Sequence, residues 1–211
     1  MKLLNILIIS FFLCNSLFSQ NDITLLKPDT LGGIPLMQAL KERKTQRDFS
    51  DKELSLQQLS NLLWAAAGIN RPSGKRTAPT ACNWQEIDIY VAMKSGVYYY
   101  EPETNALKMI HDRDVRENMG KNKFTADAPV CLIYVSDYNK MNTSSDSKDF
   151  YSATDTGFIS QNVYLYCASE GLATVVLGYI DRNLIAKELQ LKENQKVVLT
   201  QCVGYPKPEF Q

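Results

Sequence analysis

The stretch "ERKTQRDFSDKELSLQQLSNLLWAAAG", residues 42–68, joins a cluster of cations to the clearest helix signal in the chain. Ser55 is a residue type that caps helices, and Gly68 is one that ends them. Between the two, leucines recur at the spacing of one helical face: Leu56, Leu59, Leu62 and Leu63. The pattern predicts a helix from Ser55 to Gly68 with one buried side.

The cations need a local explanation, because the chain as a whole has 23 Lys+Arg and 23 Asp+Glu. That balance argues against a nucleic-acid surface. One interpretation is a solvated helix end, where cations complement the helix dipole by ~0.3–1 kcal/mol. The other is an anion clamp, in which Arg43, Lys44, Arg47 and the Thr45 hydroxyl converge on a phosphate. Spacing alone favours the first interpretation.

The N-terminus predicts an export signal over residues 1–19. Lys2 precedes the apolar run "LLNILIISFFLCNSLF", which ends at Ser19 before the polar "QND". We expect cleavage after Ser19 and a periplasmic or extracellular mature chain without a stable membrane span. Two alternatives remain. Lipid attachment at Cys14 is disfavoured by the bulky Leu13, and the other alternative is a retained anchor helix.

The chain has 211 residues, of which 45% are hydrophobic. Beyond the leader, this length fits a linker over residues 20–33 and one domain over residues 34–211.

His111 is the only histidine, and we interpret it as a surface residue. The cysteines beyond the leader show no C-x-x-C pair, so we expect mostly free, inert core thiols and no metal site: Cys82, Cys131, Cys167 and Cys202.

Strands and helices alternate irregularly along the domain, which predicts an α+β layer fold. A helix over "IPLMQALKER" should end near Lys44, and a long loop covers "NRPSGKRTAPTACN". The later elements are a hairpin ("EIDIYVAM" and "GVYYYEP"), a central strand ("APVCLIYVSD"), a helix over residues 151–170 ended by Gly171, a strand ("LATVVLG"), a helix capped by Asp181, and a last strand ("QKVVLTQCVGYP").

Several functional classes lack their motifs. No G-x-G-x-x-G opens a helix after a strand, and no G-x-x-x-x-G-K-[ST] occurs. A serine or cysteine nucleophile with a histidine base would have to use His111, whose surroundings "MIHDRD" hold no nucleophile motif. Residue patterns therefore leave the cationic stretch as the main candidate site.

An ordered set of segments resembles the nitroreductase-like flavoprotein family. The opening stretch is followed by "KRTAPTACNWQEIDIYV", "GVYYYEP", "CASEGLAT", "VLGY" and "CVGYP". The likeness covers Leu36 to Pro206 and is closest to the branch of azoline-oxidising (SagB-type) dehydrogenases. It implies an α+β fold with a central, mainly antiparallel sheet flanked by helices. It also implies an intertwined homodimer that binds FMN at two sites between its subunits.

The implied function is an FMN-dependent oxidoreductase that moves hydride or electrons through flavin N5 to or from a small organic substrate. NAD(P)H is a candidate donor, and no nucleic-acid partner is implied. Two alternatives remain open. One is a flavin-binding carrier or sensor without turnover, and the other is a dimeric interaction domain that binds no flavin.

The resemblance assigns the cations first. It implies that Arg43 contacts the FMN phosphate and ribityl chain, with Lys44 and Thr45 as polar neighbours. Arg47 corresponds to the cation beside flavin N1 and the C2 carbonyl, where negative charge develops on reduction, and this is its catalytic contribution. Lys207 corresponds to an additional phosphate contact.

The resemblance assigns two further segments. In one, the loop that reaches the flavin of the partner subunit corresponds to Pro79, Thr80, Ala81, Asn83 and Gln85. In the other, the backbone N–H groups of Leu177 and Gly178 lie beside flavin N5 and count as catalytic, with glycine allowing a close approach. Leu177 replaces an acidic residue of the family, so no carboxylate assists there.

Overall fold

The computed structural model describes residues 22–208 of the 211-residue chain. The expected export signal, its cleavage after Ser19 and the alternative at Cys14 lie outside the described residues. Within them, the helices are α1 (Leu36–Glu42), α2 (Leu56–Ala67), α3 (Ser145–Glu170) and α4 (Arg182–Glu188). The strands are β1 (Ile23–Thr24), β2 (Ile87–Met93), β3 (Gly96–Glu101), β4 (Ala106–His111), β5 (Val130–Asp137), β6 (Ala173–Leu177) and β7 (Gln195–Gly204).

The described strands form one antiparallel sheet in the order β1-β4-β3-β2-β5-β7-β6. The strand β5 lies near its centre and is buried on both faces, as its continuous apolar run predicts. Alternate side chains point to opposite faces. Leu132 and Tyr134 belong to the core under α2 and α3, whereas Cys131 and Ile133 belong to a second core under α4. The α+β prediction is confirmed.

The predicted helix α2 is confirmed together with its start and stop. The Ser55 hydroxyl accepts the Gln58 backbone N–H at 3.2 Å, and the Gln58 side chain accepts the Ser55 N–H at 3.1 Å. This capping box satisfies two donors that the first helical turn leaves free. At the other end, the Gly68 N–H bonds to the carbonyl of Trp64 and closes the helix.

The long helix α3 is the central helix of the domain. Ile159, Val163 and Cys167 recur on one face and are buried in the core that α3 shares with α2 and the sheet. Gly171 ends the helix in the left-handed conformation, with φ of +67°. The helix begins at Ser145 rather than at the predicted Tyr151. The prediction was late because residues 145–150 are mostly polar and show no apolar repeat.

Two strands were not predicted. The strand β4 pairs with β3 and ends at His111, whose Nε2 lies 3.0 Å from the Glu188 carbonyl oxygen. The strand β1 lies in the segment predicted as a linker and pairs with β4, and the next residue, Leu25, is buried in the core. The described part of this segment therefore packs against the domain. In residues 22–208, no helix has the length and apolar character that a membrane span needs.

The capping box gives a stability prediction. Ser55→Ala should lower the free energy of unfolding by about 1 kcal/mol, because one N–H of the first turn loses its acceptor. Urea denaturation followed by circular dichroism measures the change. Ser144→Ala is the matched control, because Ser144 precedes α3 without making a side-chain cap. Equal losses in the two variants would contradict the role of the capping box.

Candidate functional site

The cationic segment, residues 43–47, begins where α1 ends. The Arg43 N–H bonds to the Ala39 carbonyl, and Arg43 then leaves the helix with φ −55° and ψ 121°. The Gln46 N–H donates to the Thr174 carbonyl of β6 at 3.0 Å. Farther on, the buried Phe49 pairs with Pro206. Backbone hydrogen bonds to β6 and to the chain after β7 therefore hold the segment against the sheet.

Tyr164 connects the cationic segment to the end of β6. Its hydroxyl lies 3.1 Å from the Thr45 hydroxyl and accepts the Val176 N–H at 3.1 Å. The Arg43 guanidinium lies 5.5 Å from the centre of the Tyr164 ring, within the range of a cation–π contact. The cations thus share one anchor with Leu177, the residue that follows Val176.

The cations of this segment have no carboxylate partner among the described residues. Arg43, Lys44 and Arg47 make no ion pair there, whereas Arg116 pairs with Asp114 at 2.7 Å and the other ion pairs of residues 22–208 lie elsewhere. A cleft of about 380 Å³ adjoins the segment, and its lining includes one cation, Lys44, and one carboxylate, Glu42, beside Gln46, Tyr164 and Thr174. Unpaired cations beside a cleft suit a bound anion.

The end of β6 presents backbone to the surface. The Leu177 side chain is buried, whereas Gly178 is exposed. A Cβ at Gly178 would meet only the Leu199 side chain, at 3.6 Å, which is an ordinary contact. The packing of the chain itself therefore does not require glycine at this position, and the open backbone is available to a ligand.

Lys207 lies beside the cationic segment, because its N–H donates to the Asp48 carbonyl at 3.2 Å. Its ammonium lies 3.9 Å from the Asp127 carboxylate, and both side chains are more than half exposed. Such a surface pair contributes little to stability. The backbone position fits the predicted phosphate contact, although the ammonium is directed to Asp127 in this structure.

The amide loop, residues 79–85, is held in a strained conformation. Cys82, Asn83 and Gln85 all have positive φ, at 50°, 55° and 50°. Non-glycine residues seldom adopt positive φ values. Several such residues close together are typical of functional sites. The loop is fixed internally, because the Gln85 N–H donates to the Thr80 hydroxyl at 3.0 Å and the Gln85 side chain donates to the Gly74 carbonyl at 3.1 Å.

The helix α3 separates the amide loop from the cationic segment. Asp155 of α3 accepts the Ala81 N–H at 2.9 Å, and Tyr164 of α3 holds Thr45. Nine residues along an α-helix correspond to about 14 Å of rise and to a rotation of about 180° around the axis. The two predicted parts of the site are therefore anchored on opposite faces of one helix. The structure brings together residues within each part, but not the two parts.

A buried carboxyl pair lies under the amide loop. Glu86 is fully buried, and neither of its carboxyl oxygens has a hydrogen-bond donor in the part of the chain that the structure describes. Burial, and to a smaller extent the facing carboxyl of Asp155, raises the pKa of Glu86 to about 7. The nearby backbone N–H of Glu86 and, more weakly, the charge of Lys140 oppose this shift. A proton on Glu86 lets the two carboxyls share a hydrogen bond instead of repelling each other.

Sequence reasoning missed the residues that anchor the site. Tyr164, Asp155 and Glu86 were not singled out, although Asp155 is a buried carboxylate within the predicted helix and adjoins its apolar face. That position was the available signal, because buried acids are rare unless they bind something. Among the described residues, no group of histidine, cysteine and acidic side chains suits a metal ion.

The antiparallel sheet with helices on both faces, the unpaired cations and the strained amide loop define an α+β protein with a candidate site for a small anionic ligand. The chain belongs to the nitroreductase family, whose family model matches residues 40–205. This confirms the family-level resemblance that the ordered segments carry.

Two relatives and one structure with the same fold illustrate the match. A curated protein of Methanocaldococcus jannaschii, named as a candidate nitroreductase, is 33% identical over 171 residues, which are 76% of this chain and 86% of that protein. A crystal structure of a candidate nitroreductase from Ralstonia eutropha is 39% identical, with a TM-score of 0.86 over 91% of this chain and 92% of that chain. A chain of the Escherichia coli microcin synthetase McbBCD complex has a TM-score of 0.68 at 18% identity, covering 87% and 78%, and shares the fold.

The buried carboxyl pair predicts a pH dependence of stability. The Glu86 pKa rises from 4.5 in the unfolded chain to about 7 in the folded chain, so the folded chain holds this proton more tightly. Wild-type stability should therefore fall as pH rises from about 4.5 to 7. Glu86→Gln removes this loss. The free energy of unfolding of the variant, relative to that of wild type, should therefore rise by about 1–3 kcal/mol from pH 5 to pH 8.

Urea denaturation of the variant and of wild type at pH 5 and pH 8 measures this change. The titrations of other groups cancel when the wild-type value is subtracted at each pH. Glu53→Gln is the control, because Glu53 is exposed. A Glu86→Gln variant whose difference from wild type stays constant between pH 5 and pH 8 would show that Glu86 does not titrate in this range.

Proposed function

We propose that this chain is an FMN-dependent oxidoreductase that works as a homodimer. The observation that carries the proposal is the arrangement on α3, where the cationic segment and the strained amide loop are anchored on opposite faces. Because the two parts are anchored on opposite faces of α3, we infer that a two-fold partner presents its amide loop to the cationic segment of the first chain. The family resemblance implies the same division.

The residues of each proposed part fit FMN. Arg43 and Lys44 supply charge for a phosphate, with the Thr45 hydroxyl beside them. Neither cation forms an ion pair among the described residues, although Glu42 lines the same cleft as Lys44. From the partner, Asn83 and Gln85 supply amides for the polar edge of the ring. The Gln85 amide is already engaged with Gly74, so it contributes by shaping the loop as well.

Bound FMN supplies an atom that accepts and donates hydride. Around it, Arg47 provides a positive charge where negative charge develops, which favours the reduced state. The exposed backbone at Gly178 offers its N–H group without a covering side chain. The Leu177 N–H faces β7 instead, because Thr174 and Val176 use their backbone groups on the opposite side of β6. None of these steps requires a protein nucleophile or a histidine base, which agrees with the absence of such motifs from the sequence.

Exposed apolar side chains mark the proposed dimer surface. On α1, Met37 is 76% exposed, and on α3, Phe150 and Phe158 are 65% and 45% exposed. Gly157 lies on the same side of α3 as the two phenylalanines, and a Cβ added there would have no neighbouring atom within 4 Å. Glycine within a helix costs about 1 kcal/mol of stability relative to alanine. Close packing of a partner helix against α3 would explain why glycine occupies this position.

The substrate, the donor and the cellular location are further parts of the proposal. We propose export through the leader of residues 1–19, supported by its charge and apolar pattern. Nicotinamide cofactors are scarce outside the cytoplasm, so an exported enzyme would use another donor or would oxidise its own substrate. The SagB-type branch is supported by the ordered sequence segments, and the substrate class is a small organic molecule.

FMN affinity tests the cationic segment. Combining Arg43→Ala with Arg47→Ala should weaken FMN binding at least 10-fold, which corresponds to about 1.4 kcal/mol. Fluorescence titration of the apoprotein with FMN measures the affinity.

Lys41→Ala is the matched control, because Lys41 is an exposed cation on the neighbouring α1 that the proposal does not use. The thermal stability of the apoprotein should fall only slightly, because Arg43→Ala loses the contact with the Tyr164 ring, worth about 0.5–1 kcal/mol, and neither arginine has an ion pair to lose among the described residues. Unchanged FMN affinity would refute the clamp.

Turnover distinguishes an enzyme from a carrier. The FMN-loaded protein is mixed anaerobically with NADH, NADPH or dithionite-reduced dye, and the flavin absorption is followed before and after addition of a nitroaromatic or quinone acceptor. Bleaching by a donor and recovery with an acceptor support the oxidoreductase. A flavin that no two-electron donor reduces supports the carrier or sensor, and failure to bind FMN contradicts both.

The dimer is tested on the exposed face of α3. Phe158→Glu should convert the dimer to a monomer and weaken FMN binding, because the amide loop of the partner is then lost. Light scattering after size exclusion measures the mass, and Lys192→Glu, at an exposed position outside the proposed surface, is the control. A Phe158→Glu variant that stays dimeric and binds FMN normally would place the subunit interface elsewhere.

A further inference from the structure

Cys131 and Cys202 form a close pair in the core under α4. They are opposite each other in the antiparallel pairing of β5 with β7, and their sulfur atoms lie 3.3 Å apart. Both residues are fully buried. The other described cysteines are not in this pair, because Cys82 is exposed and Cys167 lies in the core on the opposite face of the sheet.

The backbone geometry at this pair suits a disulfide bond. Opposite residues in antiparallel strands have Cα atoms about 4.5 or 5.5 Å apart, and both values lie within the range of about 4.4–6.8 Å that disulfides occupy. Opposite side chains also point to the same face of the sheet. The two sulfur atoms need to approach by only about 1.3 Å to reach the bond length of about 2.05 Å.

We propose that Cys131 and Cys202 become joined by a disulfide bond when the chain folds in contact with a disulfide oxidant. In the step, the two thiols lose two protons and two electrons, and one S–S bond forms between them. A small or protein disulfide of the glutathione type supplies the oxidising equivalents and is reduced to two thiols. The proposal does not depend on flavin binding, so either can fail without the other.

The oxidation takes place before the two strands are closed in. Exchange requires a thiolate and an attacking path, and in the folded chain both sulfur atoms lie in the closed core. The hydrogen bond that Cys131 shares with Cys202, together with burial, raises the pKa of the Cys131 thiol well above its usual value. The folded dithiol therefore resists oxidation, whereas a folding chain with exposed thiols accepts it.

Peptide mapping tests the pairing. The full chain is reduced in denaturant and refolded in a buffer of glutathione and its disulfide, and its thiols are then alkylated in denaturant before trypsin digestion. The five cysteines lie in five different tryptic peptides, because a cleavable Lys or Arg separates each from the next. The expected product is one cross-linked pair of peptides that contain Cys131 and Cys202, with Cys14, Cys82 and Cys167 alkylated. Alkylation of Cys131 and Cys202 in most chains would overturn the proposal.

A parallel sample tests the timing. Protein refolded with a reductant and then given the same oxidant should keep both core thiols for hours, because the folded core is closed. Rapid cross-linking of this folded dithiol would contradict the order of events that we propose. Cys82→Ser removes the exposed thiol from both samples and excludes dimers joined through it.

Stability provides an independent readout. The cross-link closes a long loop, so the midpoint of thermal unfolding should lie about 5–10 °C higher after oxidising than after reducing refolding. Cys131→Ala combined with Cys202→Ala should abolish this difference, and Cys82→Ser should keep it. If the double variant does not fold, the unfolding midpoints of wild type refolded under oxidising and under reducing conditions still test whether a stabilising disulfide forms. Equal midpoints in wild type would overturn a stabilising disulfide.

Discussion

The packing of α3 on the sheet is the constraint on which the rest of the molecule depends. Ile159, Val163 and Cys167 are buried there, and each large apolar side chain contributes about 1.5–3 kcal/mol through burial. A helix of 26 residues is about 39 Å long, so it extends past the core at both ends of this buried stretch. Its position then fixes Asp155 and Tyr164, and through them the amide loop and the cationic segment.

Much of this fold could be predicted from sequence because local patterns and burial agree. Helix α2 combines a capping box, a leucine face and a terminal glycine, and β5 is a continuous apolar run. The strand β4, "ALKMIH", was missed because its outer residues are only partly buried and its stability comes from pairing with β3. The first turns of α3 were missed for a related reason, because their polar side chains carry no repeat that distinguishes a helix from a loop.

The site was predictable only in part, since its anchors lie far away in the chain. The cations could be seen as a local excess, and the ordered segments assigned them to a cofactor. The link from Thr45 to Tyr164 spans 119 residues, and the link from Ala81 to Asp155 spans 74. Such contacts are made by the tertiary fold, and no spacing rule in the sequence contains them. The same applies to Cys131 and Cys202, which look like separate core thiols until the strand register makes them neighbours.

The cationic segment shows how a neutral chain can hold a local positive charge. A solvated helix end would let its arginines move freely, whereas Arg43 lies over the ring of Tyr164 and the following backbone is hydrogen-bonded to Thr174. An aromatic ring holds the guanidinium in place without neutralising it, which a carboxylate would do. Holding a cation still while leaving its charge uncompensated raises the energy of the empty site and lowers the ordering cost when an anion binds. The position of Arg43 therefore supports the proposed anion clamp, whereas spacing alone favoured the solvated helix end.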